Sequence, residues 1–229
     1  MGEADWTRIG DELDRNGCAV VTGLLTRDAC DGISACYADD ALFRSKVAMA
    51  RHGFGRGEYK YFSYPLPRIV AELRERFYPP LAKIANRWND MLAKDEHYPP
   101  EHSQFIAQCR AHGQIRPTPL LLRYETGDYN CLHQDLYGDV VFPLQLAVLL
   151  SEPGRDFEGG EFVLTEQRPR MQSRAEVVPL KQGDAAIFPV QTRPVRGTRG
   201  IYRVSMRHGV SRLRTGQRFT LGIIFHDAA

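Results

Sequence analysis

The stretch Pro119-Leu120-Leu121-Leu122-Arg123-Tyr124-Glu125-Thr126-Gly127-Asp128-Tyr129-Asn130-Cys131-Leu132-His133-Gln134-Asp135 marks a change of period in the chain. Before it, apolar residues recur at helical spacing. From Pro119 onward they come in short runs broken by turns. Residues 120–124 read as a strand. At the far end, His133 and Asp135 stand two apart, which puts both side chains on one face of an extended segment and turns Gln134 away.

Working outward, residues 140–150, 161–164, 175–180, 185–190, 201–210 and 219–225 are further strand candidates, with turns at Pro153-Gly154 and Glu158-Gly159-Gly160. The 140–150 run is nearly continuous in apolar residues and is expected to be buried. Short strands at regular spacing point to a β-sandwich or barrel, jelly rolls among them. Upstream, Trp6, Ile9 and Leu13 form one stripe of a helix over 5–16, and residues 18–21 are a short strand. Thr26 is placed to cap a second helix. Residues 66–95 carry Ile69, Leu73, Phe77, Leu81, Ile84, Trp88 and Leu92 at helical spacing, and Pro79-Pro80 is predicted to divide them into two helices. Another helix is expected from Pro99-Pro100 to about Ala111. The expected fold class is therefore α+β. A helical region over 1–115, with a short strand and a lid-like Gly/Arg/aromatic segment at 51–62, packs on a β core over 116–229 in one structural domain.

His133 and Asp135 need a third ligand from a neighbouring strand. Two imidazoles and one carboxylate are the set that a mononuclear non-haem Fe(II) takes on one face, with open positions opposite. His208, inside the 201–210 strand, can supply the second imidazole. Asp139 is a poorer ligand candidate than Asp135, because its spacing breaks the alternate-residue rule. Arg218 opens the otherwise apolar run Arg218-Phe219-Thr220-Leu221-Gly222-Ile223-Ile224-Phe225. A charge so placed is seldom buried unpaired, and its planar fork matches a carboxylate.

Tyr124-x-x-Gly127, then His133-x-Asp135, then His208 followed by Gly216-x-Arg218, resemble the motif of the 2-oxoglutarate/Fe(II) dioxygenases in its prolyl-hydroxylase-like spacing. That resemblance covers roughly residues 120–225. The whole chain is similar to a bacterial oxygenase family named for oxidative demethylation of damaged DNA. The resemblance implies a double-stranded β-helix, the jelly-roll core of these enzymes, buttressed by N-terminal helices. It implies Fe(II) held by His133, Asp135 and His208, with 2-oxoglutarate as cosubstrate and O2 as oxidant. Arg218 would clamp the far carboxylate of 2-oxoglutarate, Tyr124 would donate to it, and Thr220, on the face of Arg218, would assist. The implied reaction hydroxylates a C–H bond with release of succinate and CO2. On an N-methylated base it would end in loss of formaldehyde. No catalytic residue beyond the metal ligands is implied.

The segment 51–62 combines glycines, arginines and aromatics, as stacking on nucleobases needs. Arg51, Phe54, Arg56, Tyr59 and Tyr61 are its substrate-binding candidates, against a surface hairpin with no ligand. Arg193, Arg196, Arg199, Arg203, Arg207, Arg212 and Arg214 crowd the region before Arg218 and could meet phosphates. The net charge of only +2 does not announce a nucleic-acid binder, and the prolyl-hydroxylase-like spacing keeps a protein (prolyl-type) or small-molecule hydroxylase open. So do a cupin-type metalloenzyme without 2-oxoglutarate and a jelly-roll binding module without metal. Five cysteines without a Cys-x-x-Cys pair suggest reduced thiols and a cytoplasmic setting, which suits Fe(II). Cys131, beside the candidate site, reads as core. No membrane span or leader pattern is seen. His97, His102 and His112 follow no ligand spacing and are read as exposed or capping. His226-Asp227 is read as surface. Oligomeric state is not legible.

Overall fold

The computed structural model describes residues 4–198 and 200–229; Arg199 of the arginine cluster lies outside the described residues. The first half comprises α1 (Trp6–Asn16), β1 (Ala19–Val21), α2 (Arg27–Ala35), β2 (Phe43–Ala48), β3 (Gly55–Arg56), β4 (Glu58–Phe62), α3 (Arg68–Met91) and α4 (His102–Ala111). The second half is β5 (Leu120–Glu125), β6 (Tyr129–His133), β7 (Leu144–Leu149), β8 (Phe157–Gly159), β9 (Phe162–Gln167), β10 (Arg174–Val178), β11 (Ala185–Pro189), β12 (Thr192–Gly197), β13 (Gly200–Val210) and β14 (Leu213–Ile223).

The strands form two antiparallel sheets. One runs β1-β11-β7-β14-β5-β4-β2 with β8 on β14, and the other runs β10-β9-β13-β6-β3 with β12 on β13. Phe162, Leu164 and Val178 of the smaller sheet pack with Ala186 and Phe188 of the larger, so the two lie face to face. The alternate-residue rule then sorts each strand of the larger sheet. Leu121, Leu221 and Ile223 join the helix-packed core, together with Leu73, Phe77 and Trp88. Their neighbours Leu122, Tyr124, Arg218, Thr220 and Gly222 face the space between the sheets.

Three expectations change. Helix α3 runs unbroken through Pro79 and Pro80. Burial of Phe77, Tyr78, Leu81, Ile84 and Trp88 on that helix outweighs a cost of roughly 3 kcal/mol per interior proline. Second, the 51–62 segment is built into the sheets, since β4 pairs with β5 and β3 pairs with β6. Strands β1 to β4, all before residue 116, thus extend sheets whose other strands come after it. Third, His102, His226 and Asp227 are buried, not exposed. Asp227 receives Arg74 Nη2 at 3.0 Å and the Tyr64 hydroxyl at 2.9 Å, a buried polar knot joining α3 to the chain end. Among the described residues, no helix is long and apolar enough to cross a membrane.

Candidate active site

His208 sits on β13 directly opposite His133 at the end of β6, so the two imidazoles meet across a strand pair. Their ring centroids are 4.1 Å apart. The pairing register shifts just beyond, between His208 and Val210. Gly209 permits that close approach, because a Cβ there would stand 2.7 Å from the Asn130 carbonyl oxygen. Asp135 follows His133 by two and comes 3.5 Å from His133 Nε2 and 3.2 Å from His208 Nε2. The ligand atoms of all three lie within 4.8 Å of one another. Neither Asp139 nor Cys131 joins this group; Cys131 is exposed.

The electrostatics suit a cation. His133 Nδ1 donates to the Cys131 carbonyl at 2.8 Å, which leaves the Nε2 lone pair facing Asp135 and His208. Burial works against ionisation of Asp135, yet the two histidines hold its carboxyl well below the usual carboxylate range. Burial likewise opposes charge on His133, but Asp135 raises that imidazole above its ordinary value. His208, largely buried, is pushed down by that burial. An anionic carboxylate between two imidazoles is the donor set that a divalent transition metal takes.

The triad opens on a cavity of ≈ 210 Å³ between the sheets. Arg218, Tyr124 and Thr220 line the same cavity. Arg218 and Tyr124 are cross-strand partners on β14 and β5, so their side chains share a face. The Arg218 guanidinium is 2% exposed and donates to Thr220 Oγ1 at 2.6 Å. Its Nε has no hydrogen-bond partner among the described residues. Burial pulls this guanidinium down to about 10, with Tyr124 and Glu161 pulling the other way. Such a buried, under-partnered fork fits a carboxylate ligand. Tyr124 is fully buried, and burial raises its phenol, which keeps it a donor.

The substrate candidates divide. Phe54, 47% exposed, and Tyr59 line the cavity, whereas Arg51, Arg56 and Tyr61 are not among its lining residues. Arg51 is exposed, and the Arg56 side chain leans 3.8 Å from Asp128. Tyr61 lies behind the wall, edge-on to Tyr59 and Tyr137. Sequence reasoning passed over two residues. Tyr137 donates to Asp135 Oδ1, and Gln145 Nε2 donates to Asp135 Oδ2 at 2.9 Å. Both had a signal. Tyr137 continues the alternate series from 133 and 135, and Gln145 is polar inside an apolar strand. Gln134 turns away, as its parity requires, and donates to the Met206 carbonyl at 2.9 Å.

Residues 57–228 match the model of a family described as oxygenases catalysing oxidative methylation of damaged DNA. An uncharacterized protein of Mycobacterium tuberculosis is 47% identical over 168 residues, which span 73% of this chain and 72% of that protein. In fold, the chain is similar to a Pseudomonas putida prolyl-4-hydroxylase (14% identity, TM-score 0.56, covering 98% of this chain and 100% of that one). It is also similar to a 2OG-Fe(II) oxygenase from Burkholderia pseudomallei (16%, TM-score 0.56, 100% and 94%). A third is a Trichoplax adhaerens prolyl hydroxylase in complex with a hypoxia inducible factor peptide fragment (12%, TM-score 0.59, 97% and 89%). The jelly-roll fold is thus that of the 2-oxoglutarate oxygenases.

Proposed function

This chain belongs to the oxygenase family described as acting on damaged DNA, and from that premise we propose that it is an Fe(II)- and 2-oxoglutarate-dependent oxygenase that oxidises a methyl group on an alkylated nucleobase. The observation that carries the cofactor assignment is the convergence, on one cavity, of the His133–Asp135–His208 triad and the buried, under-partnered Arg218. A metal-free binding module has no need of the first, and a cupin-type metalloenzyme without 2-oxoglutarate has no need of the second.

His133 and His208 would hold the metal through Nε2, and Asp135 through its carboxylate. When bound, Fe(II) with 2-oxoglutarate and O2 supplies the oxidation of a substrate C–H bond, releasing succinate and CO2. Arg218 fixes the far carboxylate of the cosubstrate, with Thr220 steadying the guanidinium. Tyr124 stands beside it as a phenol donor. Tyr137 and Gln145 orient the Asp135 carboxylate through one oxygen each. Leu120, Leu122, Phe162 and Phe188 keep the cavity apolar and exclude water.

Support for a base as substrate comes from the mouth. Phe54 stacks on His52 at 5.3 Å and borders the cavity with Tyr59 and Leu136, giving flat apolar surfaces for a base taken out of its stack. Arg196, Arg203, Arg207 and Arg212 are exposed and available to meet phosphates, whereas Arg214 is exposed but paired with Glu161 and Arg193 is buried against Glu166. A second reading, a prolyl-type hydroxylase, is favoured by the fold similarity to the prolyl hydroxylases. Succinate formation with N-methylated oligonucleotides, unmodified oligonucleotides and proline peptides separates them. Turnover is expected with the methylated strand, accompanied by formaldehyde. Turnover with peptides alone overturns the base reading. No succinate with any substrate, in a protein that binds neither iron nor 2-oxoglutarate, overturns the enzyme class.

A further inference from the structure

Arg218 does not belong to one cavity alone. A second hollow of ≈ 540 Å³ opens beside β8, β9 and β10, and Arg218 and Phe162 line both it and the triad cavity. Arg218 and Phe162 are the residues the two hollows have in common among the described residues, and Tyr124, Leu149, Phe157 and Leu213 pack together around Arg218. The second hollow is walled by Leu149, Phe157, Val178 and Leu180. Its charged residues other than Arg218 are Glu158, Glu161 and Arg214. Glu161 is engaged by the Ser211 hydroxyl and by Arg214 at 3.3 Å, which blunts its repulsion of an incoming anion. Gly160 lets the backbone pass close to Leu213 and Arg218, because a Cβ there would overlap Leu213 Cδ1 and stand 3.1 Å from Arg218 Cδ and 3.7 Å from its Nε. The unpartnered Nε therefore lies close to the Gly160 side.

We infer that the second hollow is the port for small dicarboxylates: 2-oxoglutarate reaches Arg218, and succinate leaves it, by this route rather than past the substrate mouth at Phe54 and Leu136. The inference rests on the cosubstrate site proposed above. A hollow with apolar residues on its walls and a buried cation on one side suits a short acid with a methylene middle. A macromolecular substrate seated over Phe54 and Leu136 closes the other mouth, so the coproduct needs a way out that the substrate does not block. With two entrances, succinate and 2-oxoglutarate exchange while the larger substrate stays bound.

A port acts on rates and leaves the equilibrium alone, which distinguishes it from a contact. Val177, 55% exposed, and Pro179 line the second hollow away from the triad, so Val177→Trp and Pro179→Trp place bulk there at little risk to the core. Binding and release of 2-oxoglutarate are followed by anaerobic stopped-flow on the Fe(II)-loaded enzyme, with Leu136→Trp as the comparison at the other mouth. At least one hollow variant is expected to lower association and dissociation together, by about tenfold, with the dissociation constant held within about twofold. Leu136→Trp is expected to slow both rates less than the hollow variants do, and Phe162→Ala, which shortens a side chain that lines both hollows, to raise both. Wild-type rates in both hollow variants, slowing by Leu136→Trp instead, or a change in affinity through dissociation alone each overturn the port while leaving the cosubstrate site standing. A wild-type enzyme that binds iron but no 2-oxoglutarate overturns the site and the port together.

Discussion

The Tyr137 hydroxyl donates to Asp135 Oδ1 at 2.8 Å, from a phenol that burial and the neighbouring carboxylate keep protonated. Asp135 is thereby held in one orientation before any metal binds. Removing a partner that orients a metal ligand typically costs about 10–100-fold in metal affinity. Tyr137→Phe is expected to weaken Mn(II) binding by that order, with a melting temperature close to wild type. Calorimetric titration checks it, and unchanged affinity would show the hydrogen bond to be idle.

Arg218 stands in register with Tyr124, inside the cavity and away from water. Truncating one member of a buried charge pair costs roughly 2–5 kcal/mol. Arg218→Ala is expected to raise the KM for 2-oxoglutarate by at least about thirtyfold, the ratio corresponding to the low end of that range. Arg218→Lys should recover little, because an ammonium lacks the fork. Turnover of Arg218→Ala with a wild-type dependence on 2-oxoglutarate would remove the clamp from the mechanism.

His102 and His226 are both depressed to about 4, chiefly by burial and secondarily by the Arg74 cation. Their unfolded values lie near 6.5, so at neutral pH both states are uncharged and neither histidine affects stability. As the pH falls through about 6.5, the unfolded chain takes up protons that the folded chain refuses, and stability drops until the pH reaches about 4. At pH 5 the expected loss is roughly 2 kcal/mol per histidine. Urea titrations at pH 7 and pH 5 measure it, and His102→Gln should shrink the difference. Equal stability at the two pH values would refute the burial argument.

Arg74 is 2% exposed and Asp227 fully enclosed, and Arg74 also donates to the Phe225 carbonyl at 2.8 Å. Breaking a buried pair by removing one partner costs about 3–5 kcal/mol, because the other charge stays behind. Arg74→Ala is expected to destabilise the protein by that amount in chemical denaturation. Asp227→Asn, which keeps the shape and strands the guanidinium, should do nearly the same. A loss under about 1 kcal/mol in both would mean that the knot is solvated.

Local pattern was enough to nominate the residues of the site, and the resemblance to the 2-oxoglutarate oxygenases supplied the chemistry. The two-residue spacing of His133 and Asp135, the histidine inside a β-like run and the arginine heading an apolar strand are local facts, and side-chain parity in extended chain is set by covalent geometry. Parity also turned Gln134 away and placed Arg218 and Thr220 on one face before any fold was known. What parity cannot supply is which strand lies next to which. That His208 stands across from His133, that Gln145 reaches Asp135 from β7, and that Arg218 touches two hollows all depend on strand order, which arises from packing between residues far apart in the chain. The same cause explains the misreadings. Pro79-Pro80 breaks an isolated helix but not one fixed on both sides by a core. His226 and Asp227 look solvated at a chain end until Arg74, from a distant helix, buries and pairs the acid. Glycines and arginines at 51–62 give no local sign of strand pairing, yet β4 pairs with β5 and β3 with β6. Burial and pairing are properties of the assembled sheets, and only the tertiary structure decides them.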